Sequence, residues 1–340
     1  MANTKIENIL KYTAIATGSI GCFAGFAALK THRLIREAVF CREEPKEVYT
    51  VRDHMHRRVV ESDPVEQDRL RLGEELRKQE METVSCTARD GVKLIGHYLK
   101  HPEPKRLIIA FHGFRSPWYR DFSPIWEFWK EECSVIFVEQ RANGASGGEY
   151  LGYGMLERFD AVSWTEYVKK QIIGTESLPI YLAGVSMGAA TVLLASGLAL
   201  PEGVFGILAD SGFTSMEAIW DSVMQQKFHF PKPLREAELR YLRHCIKKTG
   251  GKLCSTLDAM DVCRTPVFFA HGAEDDFVPL SMTEENHARC RAPKKLYIGP
   301  NAGHGAAFYH NRAAYRAAQE EFFEECERVP GAKSPAAGDQ

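Results

Sequence analysis

The chain has 340 residues, of which 44% are hydrophobic and 26% are charged, and its formal net charge is −2 at pH 7. That much apolar material is enough for one large core or two smaller ones, and it excludes a disordered chain. A nearly neutral balance gives no general attraction to a phosphate backbone, so we expect no nucleic-acid partner. The 9 cysteines are scattered without C-x-x-C or zinc-type spacing, which favours reduced thiols over a disulfide scaffold.

The first notable feature is an uncharged segment, residues 12–29, flanked by Lys11 and Lys30. Its length just suffices to cross a bilayer, for which ~18 to 20 residues are needed. We favour an uncleaved membrane anchor, with a cleaved signal peptide or a helix packed on the rest of the chain as the alternatives. Positive charge is heavier after the segment than before it, which predicts a membrane-associated protein whose large C-terminal part is cytoplasmic.

The segments that follow the uncharged one differ from it in composition. Residues 31–80 are charged, prone to form helix and poor in large apolar side chains, which predicts a helical spacer with a solvated surface after the membrane segment over residues 1–30. A folded domain is expected over residues 81–330. Residues 331–340 are rich in Pro, Ala and Gly and predict a flexible tail.

Within that domain, residues 83–88 and 92–99 flank the turn signal Arg89-Asp90-Gly91 and predict an antiparallel hairpin. Short apolar runs then alternate with helical patterns; the runs lie at residues 107–111, 135–138, 180–183, 205–209, 267–270 and 296–298. Such runs suit strands buried on both faces, and the alternation predicts an α/β fold with a mostly parallel, doubly wound sheet. Residues 215–263 lack a strand pattern and predict a helical cap insertion, with an ordinary connecting helix pair as the alternative.

The strongest chemical signal is Gly184-Val185-Ser186-Met187-Gly188, which follows an apolar run directly and precedes a helical one. A nucleophile on a tight strand-to-helix turn needs small flanking residues, because the backbone doubles back there. The turn exposes the serine hydroxyl and brings the positive end of the helix dipole near charge that develops in acyl transfer. We therefore predict that Ser186 is a nucleophile.

Phe111-His112-Gly113-Phe114 ends the first long apolar run. Acyl transfer needs two backbone N–H donors for the oxyanion, one from the residue after the nucleophile and one from the early strand–helix loop. Met187 and Phe114 occupy these positions and are predicted to form the oxyanion hole. We interpret His112 as a residue that orders the loop, since another histidine suits the base better.

The supporting acid and the general base are predicted from two later loops. Asp275 follows the apolar run at residues 267–270, where a carboxylate can hold an imidazole in one tautomer; Asp210, at the end of another run, is the alternative acid. His304 lies between Gly303 and Gly305 after the last run, and it completes the chain order Ser, Asp, His.

Together these motifs resemble those of the α/β hydrolases, in particular a bacterial serine aminopeptidase-like and carboxylesterase-like group that includes members with an N-terminal membrane segment. The resemblance covers residues 81–328 and rests on residues 111–114, 139–148, 184–188, 271–279 and 303–304. It implies the α/β-hydrolase fold and a Ser186, His304, Asp275 triad that needs no metal or organic cofactor. Relatives commonly have Asp at the position of Glu139 and His at that of Asn143, a departure that bears on substrate preference more than on catalysis.

The resemblance implies hydrolysis of an acyl bond through an acyl-enzyme, and the aromatic residues favour a carboxylic ester. Trp118, Tyr119, Trp220 and Phe228 are predicted to line an apolar pocket for a small-molecule acyl substrate, with core packing as the alternative for each. A peptidase or thioesterase with the same triad is the first alternative function; Glu217 or Asp221 would then anchor a substrate amine. A non-catalytic, membrane-tethered binding protein is the second alternative, and it would require a damaged triad.

Overall fold

A computed structural model describes residues 40–42, 64–174 and 177–328. Residue contacts divide the chain into two units, one that ends at Cys41 and one that starts at Arg42, and the second unit contains the sheet. The predicted membrane segment, residues 12–29, and the predicted tail, residues 331–340, lie outside the described residues. Within the described ranges, no helix has both the length and the apolar character needed to cross a bilayer.

The sheet has 8 strands in the order β1-β2-β4-β3-β5-β6-β7-β8. They are β1 (Glu82–Thr87), β2 (Lys93–Leu99), β3 (Arg106–Phe111), β4 (Cys133–Glu139), β5 (Ile180–Val185), β6 (Val204–Asp210), β7 (Val267–Gly272) and β8 (Lys294–Gly299). The predicted hairpin is β1 and β2, and β2 also pairs antiparallel with β4. The remaining neighbours pair in parallel, which confirms the predicted sheet.

Helices cover the sheet on both faces. They are α1 (Pro64–Arg77), α2 (Trp118–Trp129), α3 (Glu157–Tyr167), α4 (Met187–Ala195), α5 (Met216–Gln226), α6 (Lys232–Lys248), α7 (Thr256–Val262), α8 (Leu280–Arg289) and α9 (Arg312–Arg328). A short π-helix, Val168–Ile173, continues α3. Between β6 and β7, all residues are described and the only regular elements are α5, α6 and α7, so the predicted insertion is helical.

Burial explains why the strands read as continuous apolar runs. Residues Leu107 to Phe111 of β3 are each 0% exposed. Ile108 and Ala110 share a core with aromatic side chains of α2 and α9, including Trp129 and Phe322. Because side chains alternate between the faces of a strand, their neighbours along β3 face the opposite helical layer. A polar side chain would be desolvated on either face.

The structure differs from the predicted spacer at α1. Leu72 and Leu76 are 0% exposed, and Gly73 lies so close to α2 that an added Cβ would be 3.2 Å from the Tyr119 carbonyl oxygen. The buried positions are spaced three and four residues apart, which is the stripe of an amphipathic helix. The charged residues of α1 are more numerous than its buried residues, so the composition alone suggested a solvated segment. The folded domain therefore includes α1.

Candidate active site

Ser186 lies between β5 and α4 with φ 56° and ψ −114°. A positive φ is rare for a residue with a side chain, and such strain concentrates at functional sites. The flanking glycines permit the turn, since a Cβ added at Gly184 would collide with Gly188, and one added at Gly188 would collide with the Phe111 carbonyl. The N-terminus of α4, with its partial positive charge, therefore begins directly at the serine.

The loop after β3 adjoins this turn. A Cβ added at Gly113 would lie 3.4 Å from Ser186 Cβ. The loop is held by Asp121 of α2, which accepts bonds from Gly113 N at 2.7 Å and from Ser116 Oγ at 2.6 Å. The predicted oxyanion donors, Phe114 N and Met187 N, thus belong to the two segments that meet beside Ser186.

Sequence reasoning missed Asp121. The only signal was an acidic residue in the first turn of the helix that follows the predicted oxyanion loop.

The predicted base and acid are in direct contact, with His304 Nδ1 2.7 Å from Asp275 Oδ2. The other carboxyl oxygen of Asp275 accepts bonds from the N–H groups of Phe277 and Val278, each at 2.9 Å. Burial opposes ionisation, but the bonds from His271 and His304 hold the pKa of Asp275 well below its usual range. The bond to a charged Asp275 needs a proton on His304 Nδ1, so in the neutral imidazole Nε2 is the nitrogen that accepts a proton.

The alternative acid, Asp210, is bonded elsewhere. Its carboxyl accepts a bond from Ser211 Oγ at 2.9 Å, and its backbone oxygen accepts one from Ser186 N at 2.8 Å. Desolvation raises the pKa of Asp210, and the bond from Ser211 offsets this only in part. The geometry therefore joins His304 to Asp275.

The loop that carries His304 packs against the ends of β7 and β5 and against Ser211, which follows β6. A Cβ added at Gly272, the last residue of β7, would collide with the carbonyl oxygens of that loop. Gly305 N donates to Ser211 Oγ at 3.1 Å, and a Cβ added at Gly305 would lie 3.2 Å from a methyl group of Val185. Since β5, β7 and β8 run parallel, the loops that follow them carry the three predicted residues to one edge of the sheet.

His112 is a buried loop-ordering residue, as interpreted from the sequence. It is 0% exposed, its Nδ1 donates to the Gly113 carbonyl at 2.7 Å, and its Nε2 accepts a bond from Gln140 N at 3.1 Å. Burial lowers the pKa of the imidazole. A neutral ring with both nitrogens engaged has no capacity left to act as a base.

Glu139 keeps a loop-ordering role despite its departure from the common pattern. One oxygen lies 3.0 Å from His97 Nε2 and the other accepts a bond from Ala145 N. Desolvation alone would raise the pKa of Glu139, but these two bonds lower it. Asn143 N bonds to the Gln140 carbonyl at 3.1 Å within the turn. The loop is therefore ordered by contacts within the chain.

Each of the four predicted substrate-binding aromatics has a ring or cation partner, and two of the four lie in the first turn of α2. Trp118 is 7% exposed, and its ring is stacked 4.8 Å from His97 and 5.0 Å from Phe137. Tyr119 faces α1, where the Arg77 guanidinium lies 5.7 Å from its ring centre. Packing accounts for both residues without a ligand.

The other two lie in the helical insertion. The Trp220 ring is 6.2 Å from Tyr153, and Tyr153 is stacked 5.4 Å from Phe114 of the oxyanion loop. Phe228 is 57% exposed. Sequence reasoning missed Tyr153 because no motif marks it; the structure shows it as the link between the insertion and the loop.

Comparisons with known proteins place the chain in a family and a fold. Residues 108–318 match the alpha/beta hydrolase family. The chain is 29% identical over 232 residues to the uncharacterized protein YqkD of Bacillus subtilis, covering 67% of this chain and 74% of that protein.

Two solved structures share the fold. An esterase of Pyrococcus furiosus is 24% identical with a TM-score of 0.59, over 72% of this chain and 91% of its own. Est1E of Butyrivibrio proteoclasticus, solved with bound ferulic acid, is 20% identical with a TM-score of 0.56. The match covers 73% of this chain and 100% of the Est1E chain.

Proposed function

Because the chain belongs to the alpha/beta hydrolase family, we propose that it is a serine carboxylesterase that hydrolyses apolar small-molecule esters. The observation that carries the proposal is the 2.7 Å bond between His304 and a charged Asp275, in a loop packed against the residue before Ser186. An imidazole held by a carboxylate, in a loop that packs next to a strained serine, is the arrangement that activates a hydroxyl for attack. The Pyrococcus furiosus protein of similar fold is an esterase by name, which supports an ester substrate.

In the first half of the proposed reaction, Ser186 Oγ attacks the ester carbonyl while His304 Nε2 takes the hydroxyl proton. Asp275 stabilises the imidazolium that forms. The N–H groups of Phe114 and Met187 stabilise the oxyanion, an interaction that strengthens as charge develops. His304 then returns the proton to the leaving alkoxide, which departs as an alcohol and leaves an acyl-Ser186 ester.

The second half repeats the same proton transfers with water. His304 takes a proton from a water molecule while the oxygen of that water attacks the acyl carbonyl. When the tetrahedral intermediate collapses, the proton returns to Ser186 Oγ and the carboxylic acid is released. Every step uses only the chain, its substrate and water.

An ester is favoured over a peptide because the acidic residues suggested as amine anchors are already paired. Glu217 bonds to Arg243, and Asp221 accepts a bond from Arg235 at 2.8 Å. Each carboxylate is neutralised by an arginine of α6, so neither offers a free negative charge to a substrate amine. The aromatic contact between Trp220 and Tyr153 supplies apolar surface instead.

Labelling with a fluorophosphonate probe tests the nucleophile. We expect the wild-type chain and the control Ser163→Ala to label equally, since the Ser163 hydroxyl only bonds to the Phe159 carbonyl within α3. Ser186→Ala should not label. A variant without Ser186 that labels like the wild type would establish that this serine is not the nucleophile, and an unlabelled wild-type chain would favour the non-catalytic binding protein.

Substrate class is tested by p-nitrophenyl esters of graded length assayed beside aminoacyl-nitroanilides and an acyl thioester. The proposal expects the highest kcat/KM on an ester. Faster turnover of an aminoacyl-nitroanilide or of the thioester would assign the peptidase or thioesterase function to the same triad.

A further inference from the structure

Arg69 of α1 contacts the backbone of the residue that carries the predicted base. Its Nη2 donates to the His304 carbonyl at 3.1 Å and also to the Gly305 carbonyl. Its Nη1 donates to Glu66 at 2.8 Å. Arg69 is only 7% exposed, so a guanidinium has been withdrawn from water to make these bonds. The planar guanidinium serves the two carbonyls from Nη2 and Glu66 from Nη1 at the same time, which suits this arrangement better than the single ammonium of a lysine.

The contact continues to the oxyanion loop. Glu66 accepts a second bond, from Arg120 Nη2 at 2.6 Å, and Arg120 Nη1 lies 3.4 Å from Asp121. Asp121 in turn accepts the bond from Gly113 N beside Ser186. Four side chains of alternating charge therefore connect the His304 loop to the oxyanion loop.

The opposite side of the His304 loop is held independently, by the bond from Gly305 N to Ser211 Oγ. The loop is thus fixed through the Gly305 N–H by Ser211, the residue after β6, and through its carbonyls by α1. Arg69 itself cannot shift freely, because its backbone oxygen accepts a bond from Ser123 Oγ of α2 at 3.2 Å.

We propose that Arg69 is a positioning residue for the hydrolysis, and that α1 holds the His304 imidazole and the oxyanion loop in register through Arg69, Glu66, Arg120 and Asp121. This inference rests on the proposed function. Arg69 acts through the His304 peptide and touches neither substrate nor reacting atoms. Since small displacements of a catalytic group can cost about 10²-fold in rate, loss of this hold should lower kcat.

The test measures kcat and KM for p-nitrophenyl butyrate with the full chain carrying Arg69→Gln. We expect kcat to fall by about 10- to 100-fold with KM changed less than about threefold, because the substrate does not contact α1. Arg71→Gln is the matched control: Arg71 lies on the same helix and pairs with Asp68 and Glu75, but its side chain is 58% exposed. Its kcat should stay within about twofold of the wild type, as is usual for an exposed ion pair.

A general loss of stability is separated from positioning by a double-variant cycle. Asp275→Asn already releases the imidazole, so adding Arg69→Gln to it should lower kcat by less than about threefold. Arg69→Lys, which keeps the charge but not the fork, should recover part of the lost rate.

The positioning role fails if Arg69→Gln keeps a wild-type kcat. It also fails if Arg69→Gln lowers kcat by the same factor in the Asp275→Asn background as in the wild type. If Arg69→Gln does not fold, Arg69→Lys and Glu66→Gln replace it. A wild-type kcat in both of these variants would equally contradict the positioning role. These outcomes leave Ser186→Ala inactive. An active Ser186→Ala would instead overturn the proposed function.

Discussion

Gly188 and Phe111 are packed so closely that a Cβ on the glycine would collide with the phenylalanine carbonyl oxygen. Gly188 is the second residue of the helix after the nucleophile, and Phe111 ends the strand before the oxyanion loop. Their contact sets the distance between the two segments from which the oxyanion donors are predicted. A glycine is therefore required at residue 188 by space, independently of backbone conformation.

Gly188→Ala should destabilise the fold by at least the upper end of the ~1–3 kcal/mol typical of overpacking, since the obstacle is backbone and cannot rotate away. Thermal unfolding measures the loss. Gly303→Ala is the control, because an added Cβ there meets nothing within 4 Å. Equal melting temperatures for the two variants would contradict the packing at Gly188.

Asp275→Asn should lower kcat by about 10²- to 10⁴-fold, because an amide cannot stabilise the imidazolium or enforce the required tautomer. Asp210→Asn should cost less than about tenfold, since its carboxyl bonds to Ser211 and not to His304. Steady-state kinetics on one ester decide between them. A larger loss in Asp210→Asn than in Asp275→Asn would reassign the acid.

The pH dependence of stability should carry the signature of Asp275. Its pKa in the folded chain lies below the ordinary value of 3.8. The unfolded carboxyl therefore binds protons first as the pH falls, so its contribution to folding is complete above about pH 4 and is lost below it. The free energy of unfolding of the wild type should exceed that of Asp275→Asn at pH 7. The gap should narrow as the pH falls below about 4; a gap that widens there has the wrong sign.

Phe228→Ala should raise KM for the longer p-nitrophenyl esters by about three- to tenfold, equivalent to ~1 kcal/mol of lost apolar contact. Val262 of α7 offers a control, because Phe228 and Val262 are both 57% exposed. Val262→Ala should leave KM unchanged. Equal effects of the two substitutions would show that Phe228 makes no specific contact with the acyl chain.

We propose that residues 12–29 anchor the chain to a membrane. The test compares the full chain with a chain that lacks residues 1–30 and keeps every described helix and strand, the first of which begins at Pro64. The full chain should sediment with membranes and the shortened chain should remain in the supernatant. Sedimentation of both would remove the anchoring role from this segment.

The sequence by itself determined the features that local chemistry encodes. Apolar runs predicted the strands that are buried on both faces. Gly184 and Gly188 predicted the tight strand-to-helix turn at Ser186, because few residues other than glycine fit at those two positions. The positions of Asp275 and His304 after late strands followed from the same alternation, because parallel strands bring their following loops to one edge.

Only the tertiary structure decided which distant side chains meet. His304 bonds to Asp275 and not to Asp210, although Asp275 follows one strand and Asp210 ends another. Asp121 reaches Gly113 from a helix that carries no motif. Arg69 lies 235 residues from His304 in the chain and sits in a segment whose composition suggested a spacer. The physical reason is that periodicity and turn chemistry are local, whereas the pairing of buried charges depends on how α1 packs on α2.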